Sequence, residues 1–325
     1  MAYAELLCCS NFTFQRGASH AQELVQRAKE LGYSAIALTD ECTLAGVVRA
    51  HEAAMEAGMK LIVGSQFRFP EGDRIALLAP TQSAYSELCE LITRTRRAAE
   101  KGCYQVTRED FTQGAGHCIG LWIPGTRIDE AHARWFAALP LDFRALAFTH
   151  SLAQWSAERL TDLETLAARL DTPVVAVGDV HYHVRERRAL HDVLTAIRLG
   201  KTVEQIGRAG FANGEHHLRP LATLRRLYPP HLLELTQTIA GRCEFSLATL
   251  HYEYPEELVP PGKTPNGHLR DLTEEGLKRR WPEGVPDGVR PIIEKELRLI
   301  QQLKFEHYFL TVEEIVRFAR SRGIL

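Results

Sequence analysis

The run VVAVGDVH (174–181) ends in a hard carboxylate, Asp179, and an imidazole, His181, two residues apart. In an extended segment alternate side chains share a face, so Asp179, His181 and also His183 are placed to point together. Imidazole with carboxylate suits zinc, manganese or iron. Two such ions about 3.5 to 4 Å apart activate water against a phosphoester. Asp40 and Glu41 close another apolar run, SAIALTD (34–40), and Gly64, Ser65 and Gln66 close a third, KLIVGSQF (60–67). His150 ends a fourth. Against this stands the commoner fate of a single Asp-x-His, which is to hydrogen-bond loop backbone. The adjacent Cys8 and Cys9 point to opposite faces of a strand and cannot jointly chelate one ion, so a buried reduced thiol is the better reading of Cys9. His216 and His217, also adjacent, read as a solvated loop.

The elements that must position these groups follow from hydrophobic pattern. From residue 3 to about 200, short Val-, Ile- and Ala-rich runs alternate with amphipathic stretches, the pattern of βα repeats. Strands are expected at 3–10, 34–40, 60–67, 74–80, 118–124, 144–150 and 173–179. They are nearly apolar throughout, which fits burial on both faces in a largely parallel sheet. Seven strands clothed by helices predict an α/β barrel, whose functional groups gather where the strands end. An open doubly wound sheet is the competing arrangement, but no G-x-G-x-x-G follows the first strand. Ser19 with Gln22 reads as a capping box for a helix ending near Leu31. Further helices are expected at 43–57, 82–101, 129–138, 154–170 and 186–199, with Gly58 and Gly200 as stops.

Composition narrows the class. The 325 residues are 45% hydrophobic and 25% charged with a formal net charge of -2, ordinary globular values that exclude disorder, collagen and coiled coil. No apolar run approaches the roughly 20 residues of a membrane helix, and the N-terminus lacks a secretory layout, so a cytoplasmic location is expected. Seven cysteines without a C-x-x-C pair argue against a disulfide framework or structural zinc.

Past Gly200 the texture changes. Residues 1–205 read as the barrel, 206–251 as a helical extension, 252–267 as a Pro-rich linker and 268–325 as the unfinished start of another domain. Helical periods lie at 268–280, 289–303 and 311–322, and the final Ile-Leu pair reads as the start of a buried strand. TRTRR (93–97) and RERR (185–188) are basic helix faces, whereas Arg317, Arg320 and Arg322 are candidates for phosphate or DNA contact.

Four long segments carry a family resemblance: 11–67 (NFTFQRG…VGSQF), 174–203, 252–281 and 296–325. Together they resemble the start of the bacterial C-family DNA polymerases, with their polymerase-and-histidinol-phosphatase (PHP) domain. The subgroup that they look like is the error-prone, damage-inducible one. The resemblance implies a distorted seven-stranded βα barrel followed by a mainly helical segment that begins a polymerase palm.

In metal-binding members the first strand carries H-x-H, which here corresponds to Leu7 and Cys9. The second ends Asp-His, here Asp40 and Glu41, and the third carries Gly-x-Glu, here Gly64, Ser65 and Gln66. The late Asp-x-His survives as Asp179 and His181. A set reduced to Asp40, Asp179 and His181, with Glu41 nearby, leaves a cation under-coordinated. The resemblance thus implies a degenerate site without zinc or manganese, whose acids are tied into salt bridges with neighbouring Arg or Lys. It also implies magnesium for the full-length polymerase only, with the polymerase carboxylates beyond the position of Leu325 and no catalytic residue in this chain. DNA, bound through the full-length protein, and other mutagenesis or replication proteins are the implied partners, with no membrane. A metal-dependent phosphoesterase and a non-catalytic interaction module are the alternatives.

Overall fold

The structure is a computed structural model and describes residues 2–152, 156–250 and 258–324. It divides into two compact units between Thr249 and Leu250. In the first, β1 (Ala4–Glu5), β2 (Ala35–Glu41), β3 (Lys60–Arg68), β4 (Arg74–Leu78), β5 (Ile119–Ile123), β6 (Phe143–Phe148) and β7 (Val174–Ala176) form one sheet in sequence order. Helices α1 (Ala21–Glu30) and α2 (Val47–Ala57) follow the first two strands. Between β4 and β5 lie α3 (Gln82–Arg97) and α4 (Arg108–Gln113), and α5 (Glu130–Ala137) and α6 (Ser156–Leu170) follow β5 and β6. After β7 come α7 (Arg188–Leu199), α8 (Leu221–Leu227) and α9 (Pro230–Arg242).

The sheet is a distorted α/β barrel, as expected, but it departs from the parallel pattern at one strand. β4 runs antiparallel to both β3 and β5, while the other four pairings are parallel. The cause is chain length: residues 69–73 alone join β3 to β4, whereas a parallel crossover needs a dozen or more. Reversal has a positional consequence. Arg74, the first residue of β4, pairs with Arg68 and Ile123, the last residues of β3 and β5, and so stands level with the strand ends.

Alternate residues of every strand build the interior, including Leu6, Ala37, Ile62, Leu78, Leu121 and Val175, all buried. The intervening residues pack outward against the helices. Ile239, Ala240 and Cys243 of α9 and its end join the interior cluster, and Thr236 accepts from the Ala4 amide at 3.2 Å, so α9 closes the end where the strands begin. The first strand pairs regularly only over Ala4–Glu5, shorter than the expected 3–10, yet the chain runs on to a parallel bridge between Cys8 and Val180. That bridge brings the first and last strands together.

Glu5 reinforces the seam. Its carboxylate accepts from the Leu7 and Gly178 amides and the Tyr3 hydroxyl at 2.9 to 3.1 Å. Burial pushes its carboxyl up to about 7 despite those bonds. A Cβ at Gly178 would sit 2.3 Å from Glu5 Oε2, so the close approach requires glycine there.

Helix ends differ from the expected bounds for local reasons. The α1 cap is His20 with Glu23 and not Ser19 with Gln22, because the Ser19 hydroxyl is engaged by His183 instead. α2 starts at Val47 and α3 ends at Arg97, both shorter than expected. Gly58 and Gly200 end their helices in the left-handed region, at φ 57° and 63°. The expected start of α6 at Gln154 lies outside the described residues. The short α4, capped by Thr107 and Asp110, was not anticipated.

The second unit holds α10 (Pro265–Arg280), α11 (Val289–Leu303) and α12 (Glu306–Ser321) around Leu269, Leu297 and Leu310. α10 and α12 begin earlier than the periodicity indicates, and residues 252–257 of the expected linker lie outside the described residues. Of the Ile-Leu pair read as the start of a strand, Ile324 is 70% exposed and Leu325 lies outside the described residues. Among the described residues no helix is long and apolar enough to cross a membrane.

Candidate functional site at the barrel mouth

Parity along the strands decides which side chains meet at the mouth. Val175, Val177 and Asp179 alternate, and so do Leu78, Ala76 and Arg74; both series lead from the interior to the strand ends. There Arg74 donates to both carboxylate oxygens of Asp179, at 2.8 and 2.7 Å, and a further bond of 2.8 Å reaches Gln66 Oε1. Gln66 in turn donates to the Thr39 carbonyl at 2.9 Å. Two parallel charge-assisted bonds are the strongest arrangement open to this pair. Burial opposes ionisation of Asp179, but the adjacent guanidinium outweighs it and holds the carboxyl well below the usual range.

His181 lies 3.6 Å from Asp179, and its Nδ1 faces the Arg16 carbonyl at 3.0 Å and Cys9 Sγ at 3.4 Å. Burial works against its protonation, yet the Cys9 sulfur and Asp179 push it up to about 10. His216 completes the group: its Nδ1 donates to the Asp179 carbonyl at 2.8 Å, and burial holds its ring down at about 4. Phe211 stacks on His216 at 3.7 Å and on His191 at 4.4 Å, roofing His181 edge-on. Asp179 has φ 48°, so the Asp-x-His segment is not the extended strand that the sequence suggests; the two side chains meet through a local bend. A cavity of about 330 Å³ opens beside Arg74, Asp179, His216 and Arg159.

Asp40 is not brought to this group. It shares parity with Ile36 and Leu38, whose side chains join the outer cluster, and it turns into the loop after β1. There it accepts from the Ser10 amide and hydroxyl at 2.7 and 2.8 Å and from the Thr13 hydroxyl at 2.6 Å. Burial raises its carboxyl, and these neutral donors offset only part of the rise. Glu41 is held elsewhere, by Tyr104 at 2.9 Å and by Arg16 and Arg68 at 3.5 and 3.6 Å. Burial raises its carboxyl, but the two guanidiniums lower it below its ordinary value. The expectation of acids tied to Arg therefore fits Asp179 and Glu41, while Asp40 is held by hydroxyls and an amide.

His183 bonds Ser19 and does not join His181, and His150 packs edge-on against Phe148 and Tyr228. Cys9 is buried beside His181. His216, read from sequence as a solvated loop residue, belongs to the group. Of the basic runs, Arg94 pairs with Asp110 and Arg187 with Glu23. In the second unit Arg317, Arg320 and Arg322 are exposed; Arg317 pairs with Glu313 and Glu314, and Arg322 lies over Phe318.

Among the described residues, Asp179, His181 and His216 alone bring three ligand atoms within 4.8 Å of one another. That donor set does not fit a resident metal as it stands. Both Asp179 oxygens already accept from Arg74, and the mouth positions on β3 and beyond β1 carry a neutral amide, Gln66, a hydrocarbon, Leu7, and a thiol, Cys9. A zinc ion needs a carboxylate oxygen at about 2.0 to 2.2 Å, and a second cation on the same oxygens would face the guanidinium at van der Waals range.

Residues 5–122 match the PHP domain family, and residues 267–325 match the family described as bacterial DNA polymerase III alpha NTPase domain. Over 324 residues the chain is 51% identical to an error-prone DNA polymerase of Methylococcus capsulatus, covering 99% of this chain and 31% of that protein. With the error-prone DNA polymerase of Dechloromonas aromatica the identity is 50% over 328 residues, 99% of this chain and 32% of the other. Among solved structures, an amidohydrolase from Chromobacterium violaceum aligns with a TM-score of 0.44 at 14% identity, over 56% of this chain and 88% of that one. The chain thus spans about a third of the length of the curated relatives that it matches. Two successive family matches, to a PHP domain and to a bacterial DNA polymerase III alpha domain, and half-identity from end to end align the chain with error-prone DNA polymerases over about a third of their length.

Proposed function

We propose that this chain is the N-terminal region of a DNA polymerase acting in damage-induced translesion synthesis, in which the barrel is a non-hydrolytic scaffold and partner-docking domain. Sequence identity of 51% over 324 residues with an error-prone polymerase carries the reading. The Arg74–Asp179 pair supports the scaffold role, because it commits the central carboxylate of the mouth to an internal partner. Residues 268–325 begin the polymerase palm in this reading. Nucleotidyl transfer in the whole protein uses magnesium held by carboxylates beyond Leu325, so the 325-residue chain supplies binding and architecture and no reacting group. DNA is bound through the whole protein, Arg317, Arg320 and Arg322 contributing backbone contacts. Recruitment by other mutagenesis or replication proteins in the cytoplasm completes the proposal.

The test is primer extension across a gapped and a lesion-bearing template with magnesium. The 325-residue chain is expected to match the no-protein control, while the protein encoded by the uninterrupted reading frame extends the primer. Extension by the short chain, or none by the long one, overturns the reading.

One observation favours a second reading. The juxtaposition of Asp179, His181 and His216 is the kind of set that a metal-dependent phosphoesterase uses. Hydrolysis of a generic phosphoester with manganese or zinc, lost on Asp179→Ala, would favour it over the scaffold.

A further inference from the structure

We propose that the outward face of α7, with the loop of residues 11–20 beside it, is a docking groove for a protein partner that presents an amphipathic helix with an apolar ridge and acidic flanks. The inference rests on the reading of the barrel as a partner-docking scaffold and deepens it, naming the surface and the chemistry that this surface recognises.

A surface helix ordinarily turns its apolar stripe inward and its polar side to water. α7 does the reverse. The residues that it packs into the barrel are His191, Thr195 and Ala196, while Leu190, Val193, Leu194 and Ile197, spaced i, i+3, i+4 and i+7, lie on its other side. Leu190, Val193 and Ile197 are exposed, Ile197 at 58%. Single exposed leucines are ordinary, but a continuous apolar stripe on one helix face marks an interaction surface.

The loop opposite supplies the second wall. Phe14 stands 80% exposed there, and the groove between loop and helix has a volume of about 480 Å³, with Phe14, Ala18, Leu190, Leu194 and Ile197 in its lining. This wall is preformed. The Asn11 amide donates to the Ser19 carbonyl at 2.8 Å, Gly17 to the Thr13 carbonyl at 3.0 Å and Ala18 to the His181 carbonyl at 2.8 Å. A Cβ at Gly17 would lie 1.9 Å from the Ser10 carbonyl oxygen, so the closure requires glycine. A wall already fixed lowers the ordering cost of binding.

Charge selects the occupant. Segments 11–20 and 185–201 hold six Arg or Lys against two acids, Glu186 and Asp192, in a chain whose formal net charge is -2. Arg16, Arg185, Arg187 and Arg188 each meet a carboxylate at 2.6 to 3.6 Å. Arg198, next to Ile197, is placed differently: burial and the like charges of Arg16 and Arg68 lower its pKa, and Glu41 alone works the other way. Three guanidiniums thus share the one Glu41 carboxylate at the Ile197 end of the groove. Carboxylates brought by a partner offset that excess. A nucleic acid strand would also meet it, but bases stack on aromatic faces, and Phe14 is the one Phe, Tyr or Trp among the described residues of the lining. The aliphatic remainder fits the ridge of a helix. A second copy docked about a two-fold axis would set the same Arg cluster against itself.

The probe is a fluorescein-labelled peptide of about 16 residues, long enough to be helical, with Leu at i, i+4 and i+7 and Glu on both flanks, titrated with the 325-residue chain by fluorescence anisotropy. A scrambled peptide of the same composition and one with Lys for Glu are the controls. The acidic peptide is expected to bind saturably, at least about tenfold tighter than either control, and more weakly as salt rises. Ile197→Asp and Phe14→Ala, both at exposed positions, should each weaken binding about tenfold or more with Tm unchanged. Arg198→Ala should weaken it about fivefold and flatten the salt dependence. Met55→Asp, at an exposed apolar position outside the lining, should leave it unchanged.

No saturable binding, equal binding of either control peptide, or binding that Ile197→Asp and Phe14→Ala leave intact overturns the proposal. The scaffold reading then stands, since it falls only with phosphoester hydrolysis or with the primer-extension result. Preferential binding of an oligo(dT) strand that the same substitutions abolish, or a concentration-dependent dimer that Ile197→Asp dissolves, overturns the proposal in favour of those occupants. The protein encoded by the uninterrupted reading frame should bind the peptide as the short chain does; failure to bind would show the groove covered by the rest of its own chain and would overturn the proposal as well.

Discussion

Asp40 and Asp179 end the second and the seventh run of the same barrel, are both buried, and are held in opposite ways. Asp179 faces a guanidinium through two charge-assisted bonds, and its carboxyl lies well below the ordinary range. Asp40 faces two hydroxyls and an amide, and its carboxyl lies above the ordinary range. A full opposite charge offsets the cost of burying a carboxylate, and neutral dipoles do so only in part. One acid is therefore a fixed ion at the mouth, and the other is the tether of the loop from Ser10 to Thr13.

The largest expected effect comes from separating the ion pair. Arg74→Met keeps much of the volume and strands Asp179, at a cost of about 3 to 5 kcal/mol in urea unfolding. Adding Asp179→Leu should return most of that loss, because no lone charge is then left behind. A single-variant loss no greater than that of Asp40→Ala would place Asp179 in the same class as Asp40. Next in size is Asp40→Ala, which leaves the Ser10 amide and two hydroxyls short of an acceptor and should cost about 1 to 3 kcal/mol. Limited proteolysis within residues 10–16 should accelerate in step.

The two acids should also tilt the pH dependence of stability in opposite directions. Asp179, depressed below its unfolded value near 3.8, contributes stability present above that value and lost as pH falls below it. Asp40, raised above 3.8, binds its proton more tightly when folded, so its contribution declines as pH rises from about 3.8 through the folded value. Asp40→Asn should thus flatten the decline on the neutral side of pH 3.8, and Asp179→Asn the loss on the acid side. Chemical unfolding at intervals from pH 3 to 8 reads both, and parallel shifts of the two curves would break the contrast.

The smallest effect is expected at Glu41. Its partners Arg16 and Arg68 are each about one-third exposed, so Arg68→Ala should cost at most about 1 kcal/mol, shrinking in high salt. A cost comparable to that of Arg74→Met would show that exposure does not separate the pairs.

How much of this was legible beforehand varies by element. α11 was readable to the residue because its apolar spacing is sustained and both neighbours end it cleanly. The seven apolar runs and their order were readable because both strand faces are buried. The direction of β4 was written in the six residues between the expected strands, too few for a crossover, but the βα pattern elsewhere obscured it. Arg74 was missed for the same reason: attention to the last residues of strands passes over the first residue of a reversed one. Asp40 was placed with the mouth because strand parity cannot be counted without the pairing register. Nothing local marks His216, which reaches Asp179 across 37 residues through a bridge between Tyr182 and His217.

Local spacing and burial wrote the strand count and most helices into the chain itself, because those depend on neighbours a few residues away, whereas histidines missing at Leu7, Cys9 and Glu41 were implied by the family resemblance alone. The partner of Asp179, the outward turn of Asp40 and the arrival of His216 depended on closure of the sheet. Each joins groups more than 25 residues apart, and only packing in three dimensions fixes which of several available charges meets a given acid.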